Sequence, residues 1–271
     1  MYKAVSDEIL LQVDKPARYV GGEVNMVKKD LSNIDIRFAF CFPDVYEVGM
    51  SHLGLQILYY FLNRREDTYC ERVFAPWTDM EHKMRENNIP LFSLESQQSL
   101  KNFDFVGFTL QYELCYTNVI NMLDLAGIHI YSKDRTEDEP IIICGGSCAY
   151  NAEPLADFVD IVYLGEGEVL YDEILDIYKE YKKAGKTKNE FFERLLDIDG
   201  IYIPKFYDVE YNQDGTIKMC IRDRPESAFS SSVIFLFSSI LLLPCKIVFN
   251  IIYISLSGFC TFNLVAYYFA F

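Results

Sequence analysis

The stretch Asp35-Ile-Arg-Phe-Ala-Phe-Cys41 has the composition of a buried β-strand, because apolar and aromatic residues fill most of it. Residues 49–63 follow after a short loop and place apolar residues such as Leu53, Ile57 and Phe61 at helical spacing. A buried strand followed by an amphipathic helix is the first half of a β-α-β unit. This stretch sets the pattern for most of the chain.

The same alternation of strand and helix continues along the sequence. Further strands are predicted at residues 69–75, 104–109, 141–144 and 160–163, and further helices at residues 78–87, 113–126 and 168–183. Thr78 is expected to cap its helix with Glu81 as capping-box partner, and Gly127 is expected to end the next helix. Strands joined by helices of this length form right-handed crossovers. The sequence therefore predicts an α/β fold with a doubly wound, mostly parallel sheet and helices on both faces.

Changes in composition divide the chain into four segments. They are a polar N-terminal arm (residues 1–33), the α/β domain (34–185), a helix with short strands (186–218) and an apolar tail (219–271). In the third segment, short strands are predicted at residues 201–203 and 207–211, and Asn212-Gln-Asp-Gly215 is typical of a hairpin turn. We interpret this segment as a small C-terminal β appendage.

The apolar tail has two interpretations. Residues 228–245 and 247–271 carry no charge, and each stretch is long enough to span a bilayer and tether the chain to a membrane. Alternatively, residues 219–271 are a sequence artefact, since the composition changes abruptly and Met219–Arg224 resembles a translated sequencing-adapter fragment. We favour the artefact, and a membrane is an expected partner only if the tail is genuine.

The charge of the chain argues against one class of partner. Its 271 residues include 40 acidic and 25 basic side chains, for a net charge of −15. A chain this acidic repels phosphate backbones, so no nucleic-acid partner is predicted.

The cysteines predict a reduced protein without a metal site. The eight cysteines form no CxxC pair and show no zinc-ligand spacing with the three histidines. The sequence Cys144-Gly-Gly-Ser-Cys148 is followed by Asn151, which cannot replace the third thiolate of a CxxxCxxC cluster motif. The chain opens without an apolar signal core, so we expect reduced thiols and a cytoplasmic location.

Glycine-rich loops mark two neighbouring strand ends, where open parallel sheets bind their ligands. Gly145 and Gly146 follow one strand, and Gly165, Glu166 and Gly167 follow the next. Glycines let a backbone approach a bulky ligand closely, which makes these five residues candidates for cofactor binding. A tight turn or the capping of the next helix explains the same residues without a ligand, and both interpretations stay open.

The loop after the first strand offers further candidates. Asp44, Tyr46 and Gly49 match the spacing of D-x-H-x-x-G, the loop with which many cobalamin-binding domains supply a histidine to cobalt. Tyr46 stands at the histidine position, and a phenol with a pKa near 10 is a poor cobalt ligand at neutral pH. His52, next to Ser51, is either a rival ligand or a residue of the pocket rim.

A second strand end adds two polar candidates. Thr109 and Gln111 lie in Phe108-Thr-Leu-Gln111, where Thr109 is expected to lie beside a nucleotide tail, as the serine of an S-x-L element does. A solvated threonine at a strand end is the alternative.

Five segments, taken in order, resemble the N-terminal part of a bacterial family of cobalamin-binding-domain radical SAM proteins. They are Pro16–Glu23, Phe42–Gly54, Phe74–Met80, Gly107–Glu113 and Asn151–Asp157. The resemblance covers residues 1–218 and implies a flavodoxin-like domain of the cobalamin-binding type. It also implies a radical SAM barrel in cis, with a 4Fe–4S cluster and S-adenosylmethionine, and that barrel is absent from this sequence.

The resemblance implies that the chain is the cobalamin-binding module of a radical SAM enzyme and is not catalytic alone. Methyl transfer and radical rearrangement both fit the parent enzyme. The small-molecule cofactor is expected over the two glycine loops, with Tyr46 below cobalt in a state that lacks a histidine ligand. The alternative is a non-enzymatic nucleotide-binding, flavin-binding or docking module, tethered to a membrane if the tail is genuine.

Overall fold

The computed structural model of the chain describes residues 3–222, with the backbone alone at residues 208–209 and 217–222. The helices are α1 (Asp7–Leu10), α2 (Tyr46–Ser51), α3 (Leu53–Arg64), α4 (Thr78–Asn87), α5 (Tyr116–Ala126), α6 (Gly167–Ala184) and α7 (Lys188–Leu195). The strands are β1 (Ile36–Phe42), β2 (Thr68–Phe74), β3 (Phe105–Thr109), β4 (Ile141–Gly145), β5 (Ile161–Tyr163), β6 (Ile201–Tyr202), β7 (Tyr207–Tyr211) and β8 (Ile217–Arg222). Among residues 3–222 no helix is both long and apolar enough to cross a membrane, and the two stretches considered as spans lie outside the described residues.

Six strands form one sheet in the order β2-β1-β3-β4-β5-β6. Strands β1 to β5 pair in parallel, and β6 pairs antiparallel to β5. The order 2-1-3-4-5 is that of flavodoxin-like sheets, in which the winding reverses between β1 and β3. The predicted fold class is confirmed, and the reversal identifies the carboxyl ends of β1 and β3 as the expected place for a ligand.

Both faces of the sheet are covered, which explains why its strands are continuous apolar runs. In β1, Phe38 and Phe40 pack into a cluster with side chains of α3, α6 and α7. Ala39 and Cys41 belong to a second cluster with α4 and α5. Val5 of the N-terminal arm is buried in that second cluster, so the arm is part of the packed structure.

The C-terminal hairpin forms at the predicted turn. The Asn212 amide donates to the Thr216 carbonyl at 2.8 Å, and the Gly215 amide donates to the Asn212 carbonyl at 3.0 Å. Strand β8 continues beyond Lys218, and its backbone pairs with β7 as far as Arg222. The β appendage therefore contains β7 and β8, whereas Ile201–Tyr202 joins the main sheet as β6.

Two local predictions were wrong. The helix predicted over residues 49–63 is interrupted at His52, whose ψ of 113° is outside the helical range, so α2 and α3 are separate helices. Thr78 is the first residue of α4 rather than its cap: Trp77 occupies the N-cap position without a side-chain hydrogen bond. Glu81 is not a capping partner but bonds to Arg85 on the next turn, at 3.0 Å.

A buried ion pair covers the outer side of β2, which is the last strand at one side of the sheet. Arg72 donates its backbone amide to Glu95 Oε2 at 2.6 Å and its Nε to Glu95 Oε1 at 2.7 Å, and both side chains are fully buried. The Leu94 amide donates to the Arg72 carbonyl at 2.8 Å. Burial raises the pKa of Glu95, and the charge and hydrogen bonds of Arg72 oppose that rise. The loop that contains Leu94 and Glu95 lies where a further strand would pair with β2. Little of β2 is therefore free to pair with another chain.

We predict that Glu95→Gln destabilises the fold by roughly 3–5 kcal/mol at pH 8, because it removes the hydrogen-bonded countercharge of the buried Arg72 guanidinium and leaves only the Glu23 carboxylate, 4.0 Å away. Denaturant unfolding followed by circular dichroism measures this change. The matched control is Arg85→Gln, which breaks exposed ion pairs to Glu81 and Asp124 and should cost less than about 1 kcal/mol. Equal losses in the two variants would show that the buried pair has no special role.

Candidate functional site

A cavity of about 200 Å³ opens at the carboxyl ends of β1, β3, β4 and β5. Its apolar walls come from the strands and from α3 and α6, and its polar groups come from the strand-end loops. The lining residues are Phe40, His52, Gly54, Leu58, Phe108, Thr109, Gln111, Gly145, Gly146, Tyr163, Gly165, Glu166, Gly167, Glu168 and Tyr171. The structure thus brings together eight of the twelve residues predicted to bind a cofactor.

The loops after β3 and β4 are locked together at the floor of this cavity. The Leu110 amide donates to the Gly145 carbonyl at 2.7 Å, and the Cys148 amide donates to the Leu110 carbonyl at 3.0 Å. The Thr109 hydroxyl oxygen accepts a hydrogen bond from Gln111 Nε2 at 2.8 Å. Thr109, which was predicted beside a nucleotide tail, and the second candidate Gln111 therefore bond to each other at the cavity wall.

The two glycines after β4 have different roles. Gly146 has a φ of 100°, and a Cβ there would lie 2.7 Å from the Leu110 carbonyl oxygen. Its lack of a side chain is required by the protein's own backbone. A Cβ on Gly145 would meet nothing closer than the Tyr163 carbonyl oxygen, at 3.8 Å. The space beside Gly145 is therefore open, and the packing of the fold does not require a glycine at this position.

The loop after β5 forms the opposite wall and begins α6. The Tyr163 hydroxyl donates to the Glu166 carbonyl at 2.8 Å, and burial raises the pKa of Tyr163. A Cβ on Gly167 would lie 2.8 Å from the Leu58 side chain, so this glycine allows α6 to pack against α3. No side chain caps the N-terminus of α6. Glu166 and Glu168 place acidic side chains at this wall, near the positive end of the helix dipole.

His52 lines the cavity and caps α3. Its Nδ1 accepts a hydrogen bond from the Leu55 amide at 3.1 Å. In a neutral ring this bond places the proton on Nε2, which is then a donor and not a lone-pair ligand. Coordination of a metal through Nε2 would move the proton to Nδ1, where it would oppose the Leu55 N–H. The geometry therefore suits His52 to donating a hydrogen bond to a ligand.

The other four predicted residues lie outside the cavity lining. The Asp44 carboxylate accepts from the Tyr112 hydroxyl at 2.7 Å. The Tyr46 hydroxyl donates to Glu23 at 3.2 Å, and its ring lies 5.4 Å from that of Phe74. A Cβ on Gly49 would overlap the Phe74 ring, and the exposed Ser51 donates to the Val48 carbonyl at 2.9 Å. These residues hold the loop after β1 in shape.

Several residues that line the cavity belong to no motif in the sequence. Phe40 and Phe108 look like ordinary core residues in their strands, and Tyr171 looks like a core residue of α6. Position alone identifies them, since each lies within reach of a strand end. Glu168 is the first residue of the helix predicted over residues 168–183, and the structure places it at the cavity wall with Glu166.

The cysteines contribute no metal site in the part of the chain that the structure describes. Cys144 is buried at the end of β4, and burial raises the pKa of its thiol. Cys148 is half-buried in the loop that follows. No group of three or more metal-ligating side chains occurs within residues 3–222. The cavity combines apolar walls with a few polar and acidic side chains, an arrangement suited to binding a ligand.

Comparison with known proteins identifies one family. Residues 54–204 match the family described as "Radical SAM proteins, N-terminal". The chain is 27% identical over 188 residues to the uncharacterized protein MJ0966 of Methanocaldococcus jannaschii, a match that covers 65% of this chain. It covers 36% of MJ0966, so the chain spans about a third of the length of that relative. No solved structure matches the chain significantly.

We predict that Gly146→Ala destabilises the domain by more than about 1 kcal/mol, because the new Cβ meets the Leu110 backbone and the φ of 100° is strained for alanine. Gly145→Ala is the matched control and should leave stability within about 0.5 kcal/mol of wild type, since its Cβ enters open space. Thermal unfolding of both variants distinguishes the two roles. A stable Gly146→Ala protein would contradict the assignment of Gly146 to the fold.

Proposed function

The chain belongs to the radical SAM proteins whose N-terminal domain it matches, and from that premise we propose that it is the cobalamin-binding module of a radical SAM enzyme. The observation that carries the proposal is the cavity at the carboxyl ends of a flavodoxin-like sheet, where this fold class binds its ligands. In this proposal the 4Fe–4S cluster and S-adenosylmethionine belong to the rest of the enzyme. The module alone is not catalytic, and its parent performs methyl transfer or a radical rearrangement.

The size of the cavity limits how cobalamin fits. At about 200 Å³ it is smaller than the roughly 300–1,000 Å³ of pockets that enclose drug-sized ligands. It has room for part of the cofactor only, which we propose is the nucleotide tail. Thr109 and Gln111 would hold that tail, and the corrin ring would lie outside, over the loops that contain Gly145 and Gly165.

The charge of the lining favours cobalamin over a flavin or a free nucleotide. Among the described residues that line the cavity, none is Lys or Arg, and Glu166 and Glu168 add negative charge. A terminal phosphate, with a charge near −2, would find no cationic partner there and would meet repulsion. Cobalamin carries a single phosphodiester charge and many neutral amides, which side chains such as Gln111 and His52 can bond.

The residues present also support a cobalt without a histidine ligand from this module. Tyr46 does not line the cavity, and its hydroxyl bonds to Glu23. His52 uses Nδ1 to cap α3 and offers an N–H donor at Nε2. When bound, cobalamin would supply a cobalt centre able to carry a methyl group. The contribution of this chain is to bind and orient the cofactor.

We predict that the chain retains about one corrin after incubation with hydroxocobalamin and gel filtration, and that Gly145→Leu lowers retention at least tenfold. The leucine side chain would fill cavity space that the fold leaves open. Retained corrin absorbance per chain is the measurement. The control Glu180→Leu adds the same side chain on the exposed face of α6, away from the cavity, and should retain corrin as wild type does.

The same experiment tests the alternative module. Flavin mononucleotide, incubated under the same conditions, should pass through without retention. A chain that retained the flavin and released hydroxocobalamin would overturn the proposal in favour of a flavin-binding module. Retention of corrin by Gly145→Leu at the wild-type level would place the cofactor elsewhere.

A further inference from the structure

Four large, exposed apolar side chains lie in the segments that follow the strand ends at which the cavity opens. Each follows the carboxyl end of a different strand, and each is between 60% and 83% exposed. They are Leu53 after β1, Leu114 after β3, Tyr150 after β4 and Val169 after β5, and we call them the apolar rim. Side chains this exposed bury little area on folding, so the fold does not account for them.

The opposite edge of the sheet has a different character. At the amino ends of the strands, charged side chains form ion pairs with one another. Asp35 lies 3.0 Å from Lys179, Asp67 lies 3.0 Å from Arg65, and Asp104 pairs with Lys182 at 2.5 Å. Paired charges of this kind suit an edge that faces water. Exposed apolar side chains also precede the strands, but Leu31 and Tyr131 there are 47% and 46% exposed, less than any residue of the apolar rim.

The charge around the apolar rim is negative. Glu113, Glu166 and Glu168 are exposed there, beside Leu114 and Val169 in the chain. None of these three carboxylates has an ion-pair partner among residues 3–222, in contrast to the acidic side chains at the amino edge. A surface that complements this edge would combine apolar side chains with basic ones.

We infer that the apolar rim is the docking surface for the part of a radical SAM protein that lies outside this N-terminal domain. The inference rests on the proposed function. The matched family is defined as the N-terminal region of larger proteins, and the chain covers 36% of MJ0966, so most of the length of that relative lies outside the match. Docked on the rim, that part of the protein would cover the cavity mouth and shield the bound cofactor from water.

The test uses this chain and, as a separate protein, the part of MJ0966 outside the matched region. Calorimetric titration in the presence of hydroxocobalamin measures their affinity. We expect wild type to bind and Leu114→Ser/Val169→Ser to bind at least tenfold more weakly, because two of the four apolar side chains of the rim are lost. The control is Leu31→Ser/Tyr131→Ser, which removes two apolar side chains of about half exposure before β1 and β4 and should bind as wild type does.

Four results would overturn the inference. Three are no binding by wild type, equal weakening in the rim variant and the control, and a wild-type dimer in light scattering that the rim variant abolishes. The last of these would make a second copy of the chain the occupant of the rim. Binding to neutral phosphatidylcholine vesicles that the rim variant loses would likewise replace the protein partner with a lipid surface.

Corrin retention, measured on the same proteins, separates this inference from the proposed function. Leu114 and Val169 do not line the cavity. Retention without docking would therefore reject the docking surface and leave the cobalamin proposal standing. Docking without retention would reject cobalamin and leave the docking surface standing.

Discussion

The loops after β3 and β4 remain hydrogen-bonded beyond the ends of their strands, and the shape of the cavity depends on that contact. The bonds between Leu110 and its partners Gly145 and Cys148 bring the two backbones so close that position 146 has no room for a Cβ. With this floor fixed, the loop after β5 and the start of α6 complete the walls. The cavity is therefore a consequence of backbone pairing, and its polar groups are positioned before any ligand binds.

Paired and unpaired charged side chains lie at different edges of the sheet. Ion pairs are concentrated at the amino edge of the sheet and at the covered edge of β2, where Arg72 and Glu95 are buried together. At the carboxyl edge, Glu166 and Glu168 have no such partners in the described part of the chain. Acidic groups without ion-pair partners beside exposed apolar side chains add no ion pair to the stability of this domain. They are consistent with an edge whose chemistry is matched to something it binds.

The sequence predicted the features that depend on local pattern. Buried strands such as β1 and β3 were predicted within two residues, and Gly127 ends α5 in the left-handed conformation. Features that depend on tertiary contacts were missed. The break at His52 arises because its ring caps α3 from outside the helix, and no periodicity shows that. The antiparallel pairing of Ile201–Tyr202 with β5 was missed as well. It depends on how the preceding helices bring the chain back to the sheet, and a strand of two residues carries no pattern that predicts it.

The position of a predicted site residue also depends on tertiary contacts, and Tyr46 is an example. The loop spacing placed Tyr46 where many cobalamin domains have a histidine, but spacing does not determine which way a side chain packs. Its hydroxyl bonds to Glu23, whose carboxylate lies 4.0 Å from the buried Arg72. Burial, followed by the charge of Glu23, raises the pKa of Tyr46 and keeps the phenol protonated. Tyr46 is therefore a structural residue, whose protonated phenol links α2 to the N-terminal arm. Any cofactor in the cavity must depend on the glycine loops and their polar neighbours.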